Sequence, residues 1–250
     1  MLAQRIVSLA PSITEILYAL GLEPQIVGVT EVCDYPPEAK RKPKVGDYQI
    51  SPEKVVALKP DLVVAHAVLN SRVIPVLKRL ELRVLSANPN QFSKLYAFMQ
   101  AIGKATGAER AAERIIRSMQ ARVQRLRRNP PRRPPRTLFL ISAEPIWASG
   151  RDTLAHEMIT LAGGRNLMAE AFSNYKAVSL EAALGNAPEL ILLAGPKPEA
   201  ILNHPRWART PAVRNRQVYE LNSDLVLRET PRSVQGLQQI AQYIRRAAGG

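Results

Sequence analysis

The chain has 250 residues, of which 46% are hydrophobic and 22% are charged, so it is long enough to bury one large core or two smaller ones. Its only cysteine, Cys33, excludes a disulfide framework and a cysteine-based metal site, and no stretch approaches the roughly 18 apolar residues of a membrane-spanning helix. The net charge of +14 admits an anionic partner, such as a nucleic acid or a membrane surface.

The first predicted elements are a strand and a helix. Residues 5–10 form a short, mostly apolar run that is typical of a buried strand. After Pro11, apolar residues recur at helical spacing until Gly21, and a terminal glycine is a common helix end. Ser12 is the predicted N-cap of this helix, because a serine hydroxyl accepts a hydrogen bond from a backbone N–H of the first turn.

The middle of the chain is predicted to be one continuous helix. Over residues 108–128 apolar residues recur every three or four positions, after a break at residues 106–107. Four prolines within residues 130–135 end it, because proline cannot continue a helix. Seven arginines lie within residues 122–136 without an aromatic residue that would stack on bases, so we interpret this region as a solvent-exposed segment rather than a nucleic-acid site.

The second half of the chain repeats the pattern of the first. A strand-like run precedes Thr153, which is expected to open a helix. A longer match lies deeper in each half. Ser51 stands two residues before Glu53, and a proline, an acidic residue and an aliphatic strand follow. Ser179 and Glu181 begin the same arrangement, and one long-period repeat of this kind indicates two similar lobes.

Strands that alternate with helices in both halves predict an α/β protein. We expect two similar lobes, each a mostly parallel sheet flanked by helices, joined by one long rigid helix. The N-terminal lobe is placed at residues 1–105, the connecting helix at residues 106–129 and the C-terminal lobe at residues 130–250.

No catalytic signature accompanies this framework. Glycine-rich phosphate loops and the nucleophile elbow of hydrolases are absent. The histidines His66, His156 and His204 are scattered, and Thr160 stands where a zinc-protease helix after His156 requires a second histidine. Cys33 has no obvious base and is expected to be an inert buried thiol. We therefore expect a non-enzymatic protein with no cofactor and no metal site of its own.

The candidates for ligand binding are polar and aromatic residues at strand ends, where open α/β sheets bind ligands. Each has a structural alternative: Trp147 as a core residue, Tyr48 as a loop anchor, and Asp224 with Arg228 as an i,i+4 ion pair worth about half a kcal/mol. The candidates are Pro11, Tyr48, His66, Trp147, Tyr175, Asp224 and Arg228.

Several stretches carry a familiar pattern: R-I-V-S-L-A-P-S-I-T-E-I-L-Y-A-L-G, V-G-V-T-E-V-C-D-Y-P-P-E-A, S-P-E-K-V-V-A-L-K-P-D-L-V-V-A, I-W-A-S-G-R-D-T-L and S-D-L-V-L-R-E-T-P-R. The pattern resembles the class III, helical-backbone solute-binding proteins, which serve ABC importers of cobalamin, heme and iron siderophores, and most closely the cobalamin-binding members. The resemblance implies two α/β lobes joined by one long helix, with the ligand in the cleft between them.

The resemblance also assigns roles to single residues. It implies that Pro11 is a cleft proline and that Trp147 lines the pocket as an aromatic. Asp224 and Arg228 fall on an Asp and an Arg that face the corrin in the cobalamin binders. Capture of a metal chelate, cobalamin or a related corrinoid, is therefore the expected function.

The sequence departs from the cobalamin-binding pattern at three positions. Tyr48 and His66 stand where that pattern has tryptophans, and Val32 replaces a tyrosine. The aromatic cradle is therefore thinner, which leaves cobinamide, heme and siderophores open as ligands and His66 as a candidate metal ligand.

A partner follows from the resemblance as well. Glu53 and Glu181 occupy the positions that dock onto arginines of the permease dimer. The alternative is local, because Ser51 and Ser179 are predicted N-caps and a glutamate in the first turn of a helix gains from the helix dipole. We expect a monomer that delivers its chelate to an ABC importer and has no nucleic-acid partner.

The expected cellular location follows from the resemblance rather than from a signal in the sequence. The start of the chain shows no basic segment followed by an apolar one, as an export signal would have. We expect a periplasmic or extracytoplasmic protein. The alternatives are a cytoplasmic corrinoid-binding protein not coupled to import and a heme- or siderophore-binding protein.

Overall fold

A computed structural model describes residues 2–47 and 49–249. The chain divides into two compact units. The first runs through Ser118 and includes Glu229–Pro231, and the second comprises Met119–Arg228 and the residues from Arg232 onward. The lobe limits given above, at residues 105 and 130, stay predictions.

The first unit is built on a parallel sheet of four strands in the order β2-β1-β3-β4. Its strands are β1 (Ile6–Ser8), β2 (Ile26–Gly28), β3 (Leu62–His66) and β4 (Val84–Ala87). Its helices are α1 (Pro11–Ala19), α2 (Pro52–Ala57), α3 (Ile74–Arg79) and α4 (Phe92–Thr106), with short 3-10 helices at Glu23–Gln25 and Pro37–Arg41. Helix α5 (Glu109–Arg127) contains the boundary between the units.

The second unit has a mixed sheet in the order β10-β9-β5-β6-β8, and β7 also pairs with β5. Its strands are β5 (Arg136–Ala143), β6 (Ile146–Ser149), β7 (Arg165–Asn166), β8 (Tyr175–Ala177), β9 (Leu190–Leu193) and β10 (Val218–Glu220). Its helices are α6 (Leu154–Leu161), α7 (Leu180–Gly185), α8 (Glu199–Leu202), α9 (Pro211–Arg214), α10 (Ser223–Val226) and α11 (Ser233–Ala247), with a 3-10 helix at Trp207–Arg209.

The two sheets share one topology. The parallel strands β7, β5, β9 and β10 of the second sheet reproduce the order β2, β1, β3 and β4 of the first. The difference is a ribbon of two antiparallel strands, β6 and β8, which pairs with the second half of β5. The predicted α/β fold with a mostly parallel sheet in each lobe is confirmed, and the ribbon is the part that the sequence pattern did not indicate.

The repeated acidic residue after each proline has a structural reason. The carboxylate of Asp61 accepts hydrogen bonds from the backbone N–H groups of Gln4 and Arg5, at 2.8 and 3.0 Å. In the second unit Glu189 accepts from the N–H of Arg136 at 2.9 Å. Asp61, which precedes β3, therefore holds the start of β1, and Glu189, which precedes β9, holds the start of β5.

The charge of Glu189 is stabilised in this position. Burial alone would raise the pKa of its carboxyl group, but the backbone N–H of Arg136 and the charges of Arg136 and Arg133 outweigh burial. The pKa of Glu189 therefore lies below its ordinary value of 4.5.

The helix starts follow the predicted caps, with one exception. The hydroxyl groups of Ser51, Thr153 and Ser179 each accept the backbone N–H three residues on, so these three N-caps are confirmed. The N-cap prediction for Ser12 is wrong, because α1 begins at Pro11. Proline suits the first helical position, since its φ is fixed and it lacks the N–H that would go unbonded there.

Each unit has its own hydrophobic core beside its sheet. In the first, Val63 of β3 packs in a buried cluster with Leu77 of α3. In the second, Leu140 of β5 and Ile191 of β9 pack in a cluster with Trp207. Over the described residues, no helix has the length and hydrophobicity to cross a bilayer.

Candidate functional site

The switch point of the first sheet brings two predicted residues to one edge. Strands β1 and β3 are neighbours, with β2 beyond β1 and β4 beyond β3, so the crevice between the carboxyl ends of β1 and β3 is where such sheets bind ligands. Pro11 begins α1 directly after β1 and is partly exposed. His66 is the last residue of β3.

The side chain of His66 is buried and hydrogen-bonded to its own loop. Its Nδ1 accepts the backbone N–H groups of Val68 and Leu69, both at 3.2 Å. Its Nε2 lies 3.9 Å from Oε2 of Glu229, and its backbone N–H donates to Oδ1 of Asn70. Since the Nδ1 lone pair is occupied, the neutral ring carries its proton on Nε2. This arrangement does not favour His66 as a metal ligand.

The second unit presents two aromatic side chains on one face of the β6–β8 ribbon. Trp147 pairs with Ala177, and Ser149 pairs with Tyr175. Side chains two residues apart on a strand share a face, so Trp147 and Tyr175 are diagonal neighbours on the same face. Ala148 points the other way, into the core. The alternative that Trp147 is a core residue is wrong, because 38% of it is exposed.

The predicted acid and base of the second unit form an ion pair. Nη2 of Arg228 lies 3.1 Å from Oδ1 of Asp224, just after β10. The side-chain oxygen of Asn222 accepts the N–H of Asp224 and caps α10. The i,i+4 pair expected as the structural alternative is thus present, and a direct role in ligand binding stays a prediction.

The two docking candidates, Glu53 and Glu181, lie in the first turns of α2 and α7. The hydroxyl of Ser51 donates to Glu53 at 2.7 Å, and this bond, with the backbone N–H of Glu53, lowers the pKa of its carboxyl group. The backbone N–H of Glu181 and a 2.7 Å bond from Arg206 lower the pKa of Glu181. Both carboxylates are therefore ionised at neutral pH.

The remaining predicted residues add little chemistry. Tyr48 lies outside the described residues. Cys33 is buried, as expected of an inert thiol, and its sulfur accepts a hydrogen bond from the hydroxyl of Thr14. Within the described part of the chain, no cluster of three or more His, Cys, Asp or Glu side chains is arranged to hold a metal ion.

Comparison with known proteins assigns the family. Residues 6–225 match the family described as Periplasmic binding protein. The chain belongs to the periplasmic binding protein family. The resemblance to class III solute-binding proteins is thereby confirmed, and this family is a group of solute-binding proteins.

Two curated relatives match this periplasmic binding protein over nearly its whole length. An uncharacterized ABC transporter substrate-binding lipoprotein of Bacillus subtilis is 36% identical, over 96% of this chain and 80% of that protein. A vitamin B12-binding protein of Vibrio cholerae is 32% identical, over 97% of this chain and 90% of that protein.

Solved structures of similar proteins have the same fold. The crystal structure of the periplasmic vitamin B12-binding protein of Vibrio cholerae is similar with a TM-score of 0.87 and 32% identity, covering 98% of both chains. A periplasmic heme-binding protein of Roseiflexus sp. RS-1 has a TM-score of 0.84 and 28% identity, covering 98% of this chain and 99% of that one. The fold of this periplasmic binding protein is thus shared by proteins whose names give different chelates.

Two exposed apolar residues, Val68 and Leu69, are not among the candidates predicted from the sequence. They form the tip of the turn after β3, and both are exposed. Their signal was weak, because two apolar residues after a buried strand are also typical of a strand that continues.

Proposed function

We propose that this protein captures a metal chelate, cobalamin or a related corrinoid, and delivers it to an ABC importer. The observation that carries the proposal is the aromatic face of Trp147 and Tyr175, in a chain 32% identical to a vitamin B12-binding protein over nearly its full length. Flat aromatic faces suit a planar macrocycle, because rings stack with little loss of side-chain freedom. The protein acts in this proposal as a carrier, not as an enzyme.

Each group of candidate residues has its own role in the proposal. Trp147 and Tyr175 stack on a flat face of the ligand. Asp224 and Arg228 hydrogen-bond to the amide or carboxylate side groups that a corrinoid carries around its ring. Pro11 supplies an apolar contact at the switch point of the first sheet.

The chemistry of His66 favours a corrinoid over heme. Heme iron takes an axial ligand from the protein, commonly a histidine nitrogen. The Nδ1 of His66 already accepts two backbone N–H groups, and its Nε2 faces Glu229. The cobalt of cyanocobalamin brings its own axial ligands and needs none from the protein. Heme binding stays a second candidate because heme-binding proteins share the fold.

The identity of the ligand is tested by calorimetric titration of the purified protein with cyanocobalamin, cobinamide, heme and ferric siderophores. We expect cyanocobalamin or cobinamide to bind with a Kd between nanomolar and micromolar, about 8 to 12 kcal/mol. Preference for heme would replace the corrinoid by the second candidate. Absence of binding by all four would refute the chelate-carrier function.

Delivery is proposed to use the charged glutamates at the two helix starts. Glu53 and Glu181 are ionised, lie at equivalent places in the two units, and suit a two-fold permease that presents a basic pocket to each. We place the protein outside the cytoplasm, as a monomer that binds no nucleic acid. Its recovery from the cytoplasm of the source cell would favour a corrinoid-binding protein not coupled to import.

A further inference from the structure

Two large apolar side chains are exposed at the tip of the turn that follows β3. Val68 is 58% exposed and Leu69 is 67% exposed. His66, two positions before the pair, and Asn70, directly after it, are buried. A single exposed leucine is common on protein surfaces, but an adjacent apolar pair at the carboxyl end of a central strand lies where an open sheet receives its ligand.

The turn is held in one conformation by hydrogen bonds. Nδ1 of His66 accepts the N–H groups of Val68 and Leu69 at 3.2 Å. The side chain of Asn70 accepts from the N–H of His66 at 2.8 Å and donates to the carbonyl of Leu9 at 3.0 Å, which ties the turn to the end of β1. A surface fixed in this way loses little conformational entropy when a ligand covers it.

The repeated framework does not require apolar residues at this turn. The shift along the chain that takes Ser51 to Ser179 takes Val68 and Leu69 to Pro196 and Lys197 in the second unit. The repeated framework therefore folds around different residues at the same place. The apolar pair in the first unit is an addition that calls for a function of its own.

We propose that Val68 and Leu69 form an apolar contact of the first unit with the bound corrinoid, and that His66 is the positioning residue of this contact. The inference rests on the proposed function. The rim of a corrin ring carries methyl groups, and apolar atoms in contact with them exclude water from both surfaces. The imidazole takes no part in the contact, because it faces inward and its acceptor nitrogen holds the turn.

The contact is tested by the variants Leu69→Ser and Val68→Ser, titrated with cyanocobalamin. From the apolar area that a ligand would cover, Leu69→Ser is expected to weaken binding about five- to thirtyfold, and Val68→Ser about three- to tenfold. The matched control is Leu80→Ser, which alters a leucine that is 48% exposed at the end of α3. The control is expected to bind within about twofold of the wild type.

The role of His66 is tested by comparing two substitutions. In His66→Asn the side-chain oxygen takes the place of Nδ1 along the side chain and can accept the same two N–H bonds, whereas His66→Ala removes the acceptor. We expect His66→Asn to keep the affinity within about threefold and His66→Ala to lose as much as Leu69→Ser. Amide exchange at Val68 and Leu69 is expected to be fast only in His66→Ala. Equal losses of affinity in both variants would show direct ligand contact by the ring and overturn the positioning role.

The outcomes separate this inference from the function on which it rests. If the wild type fails to bind any chelate, the proposed function is overturned and this inference with it. If the wild type binds cyanocobalamin and both serine variants bind as tightly, only the inference is overturned. It is overturned as well if the serine variants keep their affinity and lose only the stimulation of transporter ATPase activity, because the turn would then contact the permease.

Discussion

Truncation of Trp147 tests whether this side chain binds the ligand or supports the fold. A tryptophan side chain has an area of up to about 250 Å², and 38% of Trp147 is exposed, which leaves roughly 90 Å² for a ligand to cover. At about 25 cal/mol per Å² this area is worth about 2 kcal/mol. We therefore expect Trp147→Ala to weaken cyanocobalamin binding about thirtyfold, as measured by calorimetry.

The same variant is expected to cost less stability than truncation of a fully buried tryptophan. Trp147 lies on the face of β6 opposite Ala148, which is the residue that packs in the core. The matched control is the other tryptophan, Trp207, which is 2% exposed inside that core. Trp207→Ala is expected to lower the free energy of unfolding by about 3 to 5 kcal/mol in urea unfolding, and Trp147→Ala, whose side chain is partly exposed, is expected to lower it by clearly less.

Two results would refute this reasoning. One is an affinity of Trp147→Ala within twofold of the wild type, which would show that the ligand does not cover the ring. The other is a loss of stability as large as that of Trp207→Ala, which would make Trp147 a packing residue despite its exposure.

Three further predictions concern charged residues. Glu53→Ala combined with Glu181→Ala is expected to preserve affinity and melting temperature but to abolish stimulation of transporter ATPase activity. Arg228→Ala is expected to weaken cyanocobalamin binding about tenfold with little change in melting temperature, since loss of one polar partner costs about 1 to 3 kcal/mol. The pKa of Glu189 is lowered in the folded state, so its carboxylate stabilises the fold above about pH 4.5 and this contribution is lost as the pH falls through the folded-state pKa. Unfolding free energies measured against pH should therefore fall more steeply below that pH in the wild type than in Glu189→Gln.

Each of these predictions has a control or a contrary outcome. For docking, the control is Glu109→Ala combined with Glu199→Ala, which removes two glutamates from the first turns of α5 and α8 and should leave ATPase stimulation intact. A lower melting temperature with unchanged affinity in Arg228→Ala would identify a purely structural ion pair. Parallel pH curves for the wild type and Glu189→Gln would show that the carboxylate titrates alike in the folded and unfolded chains.

Much of the fold was determined by local sequence signals. The helix predicted at residues 108–128 is found at Glu109–Arg127, because its apolar spacing needs no knowledge of the rest of the chain. The caps Ser51 and Ser179 are likewise local, since a hydroxyl bonds an N–H three residues on. The repeat in the sequence predicted the shared topology of the two sheets, because the same order of short signals folds in the same way.

The candidate site depended more on tertiary structure. The exposure of Trp147 and its proximity to Tyr175 follow from the register of β6 against β8. These two strands lie about thirty residues apart in the chain. The inward orientation of His66 depends on the turn that closes over its ring, and the function of Asp61 depends on the distant strand start that it holds. Pairing between distant segments is set by the packing of the whole unit, whereas helical spacing and caps are set by neighbours in the chain. This is why the sequence predicted the elements, and only the tertiary structure decided which side chains of the candidate site are exposed.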